Sequence, residues 1–176
     1  MTLGYGKKVM IEVIKNRRDL GKTAIMKIVF ILQQVFGFRL GYDFDIYTYG
    51  PYAVDVADDL NMLVQEGFVD ADIYEYKNSP AYRFNATEKI KNLPALLLSD
   101  DEQTKISQVL TLFGDKNVKE LELDSTIIYI KNLYVRNKWD EIKADIINDV
   151  HEIKPHFSNY EIESAYDALH EHGMLN

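Results

Sequence analysis

Cysteine is absent from the 176 residues, which removes disulfides, thiolate zinc sites, iron–sulfur clusters and cysteine nucleophiles at once. No apolar run approaches the roughly 20 residues that span a bilayer. Met1 to Lys8 lacks the apolar stretch and small-residue cleavage site of a signal peptide, so a cytosolic protein without membrane contact is expected. Histidine is confined to His151, His156, His170 and His172. His170 and His172 stand two apart and do not share a helix face, while His151 and His156 straddle Pro155, so no metal site is expected. Gly4-Tyr5-Gly6-Lys7-Lys8 lacks the spacing of a phosphate-cradling Walker loop, and no pair of carboxylates stands out from solvated helix surface. Neither catalytic residues nor a cofactor are expected, and the chain does not read as an enzyme.

Basic residues are missing altogether from Tyr42 to Asp72, a stretch with eight acids. The net charge of −8 is therefore segregated. Met1 to Gly41 carries eight Lys/Arg against Glu12 and Asp19, 73–98 carries four bases against two acids, and 99–176 carries eight against sixteen. The cations thus lie at the N-terminus and in one later segment.

Hydrophobic residues make up 47% of the chain and charged ones 27%, the composition of an ordinary globular protein. Val9, Met10, Val13 and Ile14 predict a first helix over about Lys7 to Asn16, followed by a turn. Thr23 to Phe36 is apolar at nearly every position, interrupted mainly by Lys27, Gln33 and Gln34, and Gly37 stops it; a helix of this kind must be covered on most sides. Phe44 to Tyr49 alternates as a half-buried strand ending at Gly50-Pro51. Pro51 is placed in the first turn of a third helix, whose stripe is Ala53, Val56, Ala57, Leu60, Leu63 and Val64, ending at Gly67. Ile73 to Lys77 and Ala81 to Asn85 predict a hairpin turning at Asn78-Ser79-Pro80. Thr87 caps a short helix that Pro94 stops.

Helix, helix, strand, helix, hairpin is the order of a winged helix-turn-helix. The expected fold is therefore α+β: an N-terminal winged helix-turn-helix domain over 1–98, then a mostly α-helical C-terminal region over 99–176, after a linker at Pro94 to Leu98. In that region Ser99 with Glu102, and Ser158 with Glu161, form capping boxes. Helices are predicted from Ser99 to Phe113, about Val118 to Tyr134, Asp140 to Ile153 and Ser158 to His172. This region is assigned to dimerisation, sensing or partner binding.

Gly41-Tyr42-Asp43-Phe44, Tyr49-Gly50-Pro51-Tyr52, Leu60 with Leu63, and Glu66-Gly67-Phe68-Val69 together resemble the YwgA-like family of small bacterial and archaeal proteins. That family is related in turn to the Panacea, or SocA-like, antitoxin domain. The lysine-bearing helix from Lys27 to Gln34 and the late Lys154-Pro155 fit the same pattern. The resemblance implies a winged-helix-like fold and a role in regulation or toxin neutralisation, and supplies no catalytic residues.

For double-stranded DNA, affinity comes from cations near phosphates and specificity from base edges. Lys7, Lys8, Lys15, Arg17, Arg18 and Lys22 cluster around the first helix and its following turn as phosphate clamps. Lys77, Asn78 and Arg83 flank the hairpin turn, where a wing meets a groove. Tyr52, in the expected first turn of the third helix, would face a phosphate beside unpaired backbone N–H groups. The third helix itself exposes Asp55, Asp58, Asp59 and Glu66 with no cation, which disfavours simple insertion into the major groove. Two readings follow: a DNA-binding transcriptional regulator, expected as a homodimer, or a protein-binding antitoxin or adaptor acting through the acidic helix and the helical C-terminal half. Tyr42, Tyr47, Tyr49, Tyr52, Tyr74, Tyr76 and Tyr82 crowd the strand and hairpin, and a subset of them is a candidate interface or small-ligand pocket.

Overall fold

The computed structural model describes residues 3–93 and 98–175, apart from the side chain of Asn92. The described residues form an α+β fold in the order α1 (Tyr5–Asn16), α2 (Lys22–Gln34), β1 (Asp45–Tyr47), β2 (Gly50–Tyr52), α3 (Val54–Gln65), β3 (Val69–Tyr76) and β4 (Ser79–Ala86). A 3-10 turn at Glu88–Asn92 follows, and then α4 (Asp100–Phe113), α5 (Val118–Asn137), α6 (Lys143–Ile153) and α7 (Asn159–Glu171). No described helix is long and apolar enough to cross a membrane.

The apolar run of α2 is explained by its surroundings. Ile25 to Leu32 are buried without a break, and α1, α3, α4, α5 and β2 all pack on this helix. The second central helix is α5, buried continuously from Leu121 to Ile128. One hydrophobic cluster runs from Val9 in α1 through α2 and α3 to Ile127, Ile146 and Ile162 in the C-terminal half. The helices after residue 98 are therefore packed on the N-terminal elements through α4, which meets α1 and α2, and α5, which meets α2 and β2, while α6 and α7 pack on α5. Pro94, and the linker expected around it, lie outside the described residues except for Leu98, which is buried.

Both capping boxes form, at Ser99–Glu102 and Ser158–Glu161. A third, Asn117–Glu120, starts α5.

Two turns differ from the sequence expectation. Phe44 to Tyr49 is not one strand leading into a helix: the chain reverses at Thr48-Tyr49, and Gly50–Tyr52 pairs antiparallel with Asp45–Tyr47. Gly50 sits at φ +86°, a left-handed conformation that cannot begin a right-handed helix. Pro51 consequently lies in β2, where a two-stranded ribbon tolerates a missing N–H, and α3 begins at Val54 after Ala53. In the second hairpin the turn is Lys77-Asn78, with φ of 49° and 61°, the signature of a primed two-residue turn. Ser79 and Pro80 belong to β4, opposite Tyr76 and Glu75. The α3 stripe comes out as expected at Val56, Ala57, Leu60 and Leu63, with Ala53 buried just ahead of it.

Candidate functional site

The β1–β2 hairpin is pinned to the body by two buried lysines from distant parts of the chain. Lys27, in the middle of α2 and only 2% exposed, donates to the Pro51 carbonyl at 2.5 Å. Lys154, between α6 and α7, donates to the carbonyls of Tyr47, at 2.8 Å, and Thr48. Glu122 of α5 approaches Lys154 at 3.0 Å and His156 Nε2 at 3.3 Å. A buried ammonium must find such partners, because leaving it unpaired costs several kcal/mol. Burial first, and then the Lys154 charge, pull the Lys27 ammonium down to about 8, with Glu122 pulling the other way.

Gly50 completes the contact. Beyond its positive φ, a Cβ there would stand 3.2 Å from Ser125 Oγ and Thr126 Oγ1 and 3.3 Å from the Glu122 carbonyl. Both hydroxyls turn back onto α5 carbonyls, so small residues on α5 and glycine on the hairpin allow backbone to approach helix. The Tyr49-Gly50-Pro51-Tyr52 sequence, Lys27 and Lys154, far apart in the chain, thus meet at one place.

Held this way, the hairpin leaves Tyr47 and Tyr49 well exposed and encloses, with the start of α2, a pocket of about 380 Å³. Tyr52 lines it, in β2 rather than in a helical first turn, with its ring 5.4 Å from that of Tyr47.

The remaining expected contacts separate into bound and open cations. Lys7 lies 3.8 Å from Asp59 and 3.3 Å from Met62 Sδ, and Asp59 also accepts the Tyr42 hydroxyl at 2.7 Å. Lys15 pairs with Glu12 at 2.8 Å and Arg17 with Asp115. Lys8 is half-buried, Arg18 and Lys22 are exposed, and none of the three has an ion-pair partner among the described residues. The loop carrying Arg18 is fastened to β4: Asp19 and Asn85 exchange two 3.0 Å hydrogen bonds, and Leu20 bridges Phe84. Lys77 and Asn78 occupy the tip of the β3–β4 hairpin, and Arg83 stacks on Tyr74 at 4.0 Å, opposite Asp72.

Asp70, Asp72 and Glu75 lie on β3, Lys77 at the tip and Arg83 on β4, so the charge of that hairpin is mixed in sign. One face continues the core outward: Val69 and Phe84 are buried at its base, while Ile73 and Tyr82 on the same face are 67% and 43% exposed. The outward stripe of α3 is formed by Val54, Asp58, Asn61, Met62 and Gln65, with Asp55 beside it, all exposed. Of the four acids expected to be exposed without a cation, Asp55 and Asp58 are on this surface, whereas Asp59 and Glu66 are half-buried and Asp59 has Lys7 beside it; the apolar members were missed because Val54 and Met62 are indistinguishable from core residues until the helix phase is known.

His151 Nδ1 faces the Phe157 carbonyl at 2.8 Å and His172 Nδ1 the Ala168 carbonyl at 2.7 Å. No group of His, Asp or Glu among the described residues is arranged to hold a metal ion.

No family model matches the chain, and no curated protein matches it either.

Proposed function

We propose that this protein is a regulator that works by binding another protein, in the manner of an antitoxin or adaptor, through the outward face of α3 and the adjoining β3–β4 hairpin. The observation that carries the reading is the composition of the α3 surface: Val54, Asp55, Asp58 and Met62 are exposed, α3 itself contributes no cation, and Lys7 of α1 reaches this surface only at its edge, against Met62 and Asp59. Carboxylates lose Coulomb energy beside phosphate and release no counterions, whereas apolar and Met side chains ringed by polar groups suit a protein interface. The exposed Ile73 and Tyr82 extend that apolar character onto the hairpin. The charge of the face calls for a partner with a basic surface.

The element order α1, α2, first hairpin, α3, second hairpin supports reading residues 1–98 as a winged helix-turn-helix, used here as a protein-docking scaffold. A photo-crosslinking residue at position 61 or 65, introduced in the native host, is expected to trap a discrete protein adduct, and one at Lys105 on α4 is not. Adducts absent at both α3 positions would overturn the reading.

One observation favours the rival, a DNA-binding regulator. The unpaired Arg18 and Lys22 flank the loop fastened to β4, whose hairpin carries Lys77 and Arg83. On that reading mixed-sequence duplex DNA binds with strong salt dependence, and Lys77→Glu with Arg83→Glu reduces the salt slope by about two.

A further inference from the structure

The pocket between the start of α2 and the β1–β2 hairpin has a chemistry of its own, independent of the α3 surface. Its volume of about 380 Å³ falls in the range of small-molecule sites. Tyr47, Tyr49 and Tyr52 supply aromatic walls, Met26 an adaptable apolar one, and Lys22 and Lys27 the charge. Among the described residues no carboxylate lines it. We propose that this pocket binds a small organic anion with a planar ring, the ring lying against the tyrosines and the anionic group facing Lys22 and Lys27.

Three physical points converge. First, the buried cluster behind the pocket is unbalanced: the ammonium groups of Lys27 and Lys154 stand against one carboxylate, Glu122, already shared with Lys154 and His156. An anion in the pocket supplies negative charge beside the buried Lys27, whose own interactions solvent screens little. Second, two of the tyrosines are far more exposed than a purely structural role requires, and large rings held on a pinned hairpin offer contact area at low entropic cost. Third, the opening turn of α2 has no side-chain cap and no acidic residue, so the local backbone polarity agrees with the lysines.

The charged groups that act on Lys27 are Lys154, from the α6–α7 connection, and Glu122, from α5, which His156 also approaches, and its ammonium donates to the Pro51 carbonyl of the hairpin. With its ammonium already drawn down to about 8 by burial and Lys154, anion binding favours the charged form, so affinity falls as pH rises from 7 to 9.5.

The test uses the full chain labelled at its methionine methyl groups. Met26 lines the pocket and Met10 is in the core, so the second is an internal control. Titration with salicylate and with AMP is expected to shift the Met26 signal saturably for at least one probe, with little change at Met10. Benzamide, a neutral ring, and inorganic phosphate, an anion without a ring, are expected to bind at least tenfold more weakly. Lys22→Glu and Tyr49→Ala, both at exposed positions that leave the fold intact, are each expected to weaken binding about tenfold. Absence of a saturable Met26 shift with both probes, equal binding of benzamide, or unchanged affinity in both variants would overturn the proposal. None of these outcomes bears on the α3 reading, whose test is a crosslink on a different surface.

Discussion

Removing the Glu122 carboxylate is the most informative single perturbation of the fold. In Glu122→Gln, Lys27 and Lys154 remain as two buried ammonium groups with no carboxylate between them, and Lys154 loses its partner at 3.0 Å. Both Glu122 and Lys154 are nearly inaccessible, so solvent screens little of the effect. Breaking a buried pair by deleting one member costs about 3–5 kcal/mol. For a chain of this size that corresponds to a fall in melting temperature of roughly 6–20 °C. Lys154→Met alone also destabilises, because the Tyr47 and Thr48 carbonyls lose their shared donor. The double variant, however, removes opposite charges together and is expected to be less damaged than the sum of the singles, by about 1–3 kcal/mol. Urea denaturation of the four proteins measures each arm. Strict additivity, or a cost below about 1 kcal/mol for Glu122→Gln, would refute the claim that this carboxylate compensates buried charge.

Three further outcomes follow from the same geometry. Gly50→Ala forces a side chain into φ +86° and against Ser125 and Thr126, and a loss of about 1–3 kcal/mol is expected in urea melts. The Lys27 ammonium, held near 8 in place of its ordinary 10.5, is disfavoured by about 3 kcal/mol in its charged form. Between pH 8 and 10 the unfolded chain binds more protons than the folded one, so stability gains from this residue as pH rises; Lys27→Met should flatten that rise in pH-dependent melts. Above pH 10 the sign reverses for Tyr42, whose hydroxyl burial and Asp59 hold well above its usual range. Ser158→Ala, which removes the hydroxyl that caps α7 through the Glu161 amide, is expected to cost about 1 kcal/mol, read as a melting shift of a few degrees.

Signals confined to a few neighbouring residues proved legible. The caps at Ser99 and Ser158 need only residues three apart, and the α3 stripe only one periodicity. The two misplaced turns are competitions that local rules leave open. Pro51 suits the first turn of a helix as well as a hairpin edge, and what decides is Gly50, held in a left-handed conformation against α5. Asn78-Ser79-Pro80 has turn chemistry, yet Lys77-Asn78 makes the turn because Val69 and Phe84 fix the register from the buried base of the hairpin.

The cluster at the first hairpin was the least legible part, because its contacts join residues 24 and 107 positions apart. A signal was nonetheless present. A lysine in a helix that must be buried on most sides needs a partner, and Lys27 was such a residue. The ion pairs that occupy Lys7 and Arg17 were equally hidden, since Asp59 and Asp115 are remote from them in sequence, whereas the Lys15–Glu12 pair, three residues apart on α1, lies within reach of local reasoning. Three of the eight N-terminal cations are thereby neutralised, which weakens the inference from charge segregation to DNA.

The most direct test of the central claim is affinity capture from the native host with the wild-type chain and with Asp55→Lys/Asp58→Lys, each verified as folded by circular dichroism. Both positions are exposed, so the substitutions leave the core untouched. A specific protein is expected to be retained by the wild type at moderate salt and reduced at least tenfold by the charge reversal. Equal recovery with both chains, or loss of the captured protein on nuclease treatment alone, would contradict it.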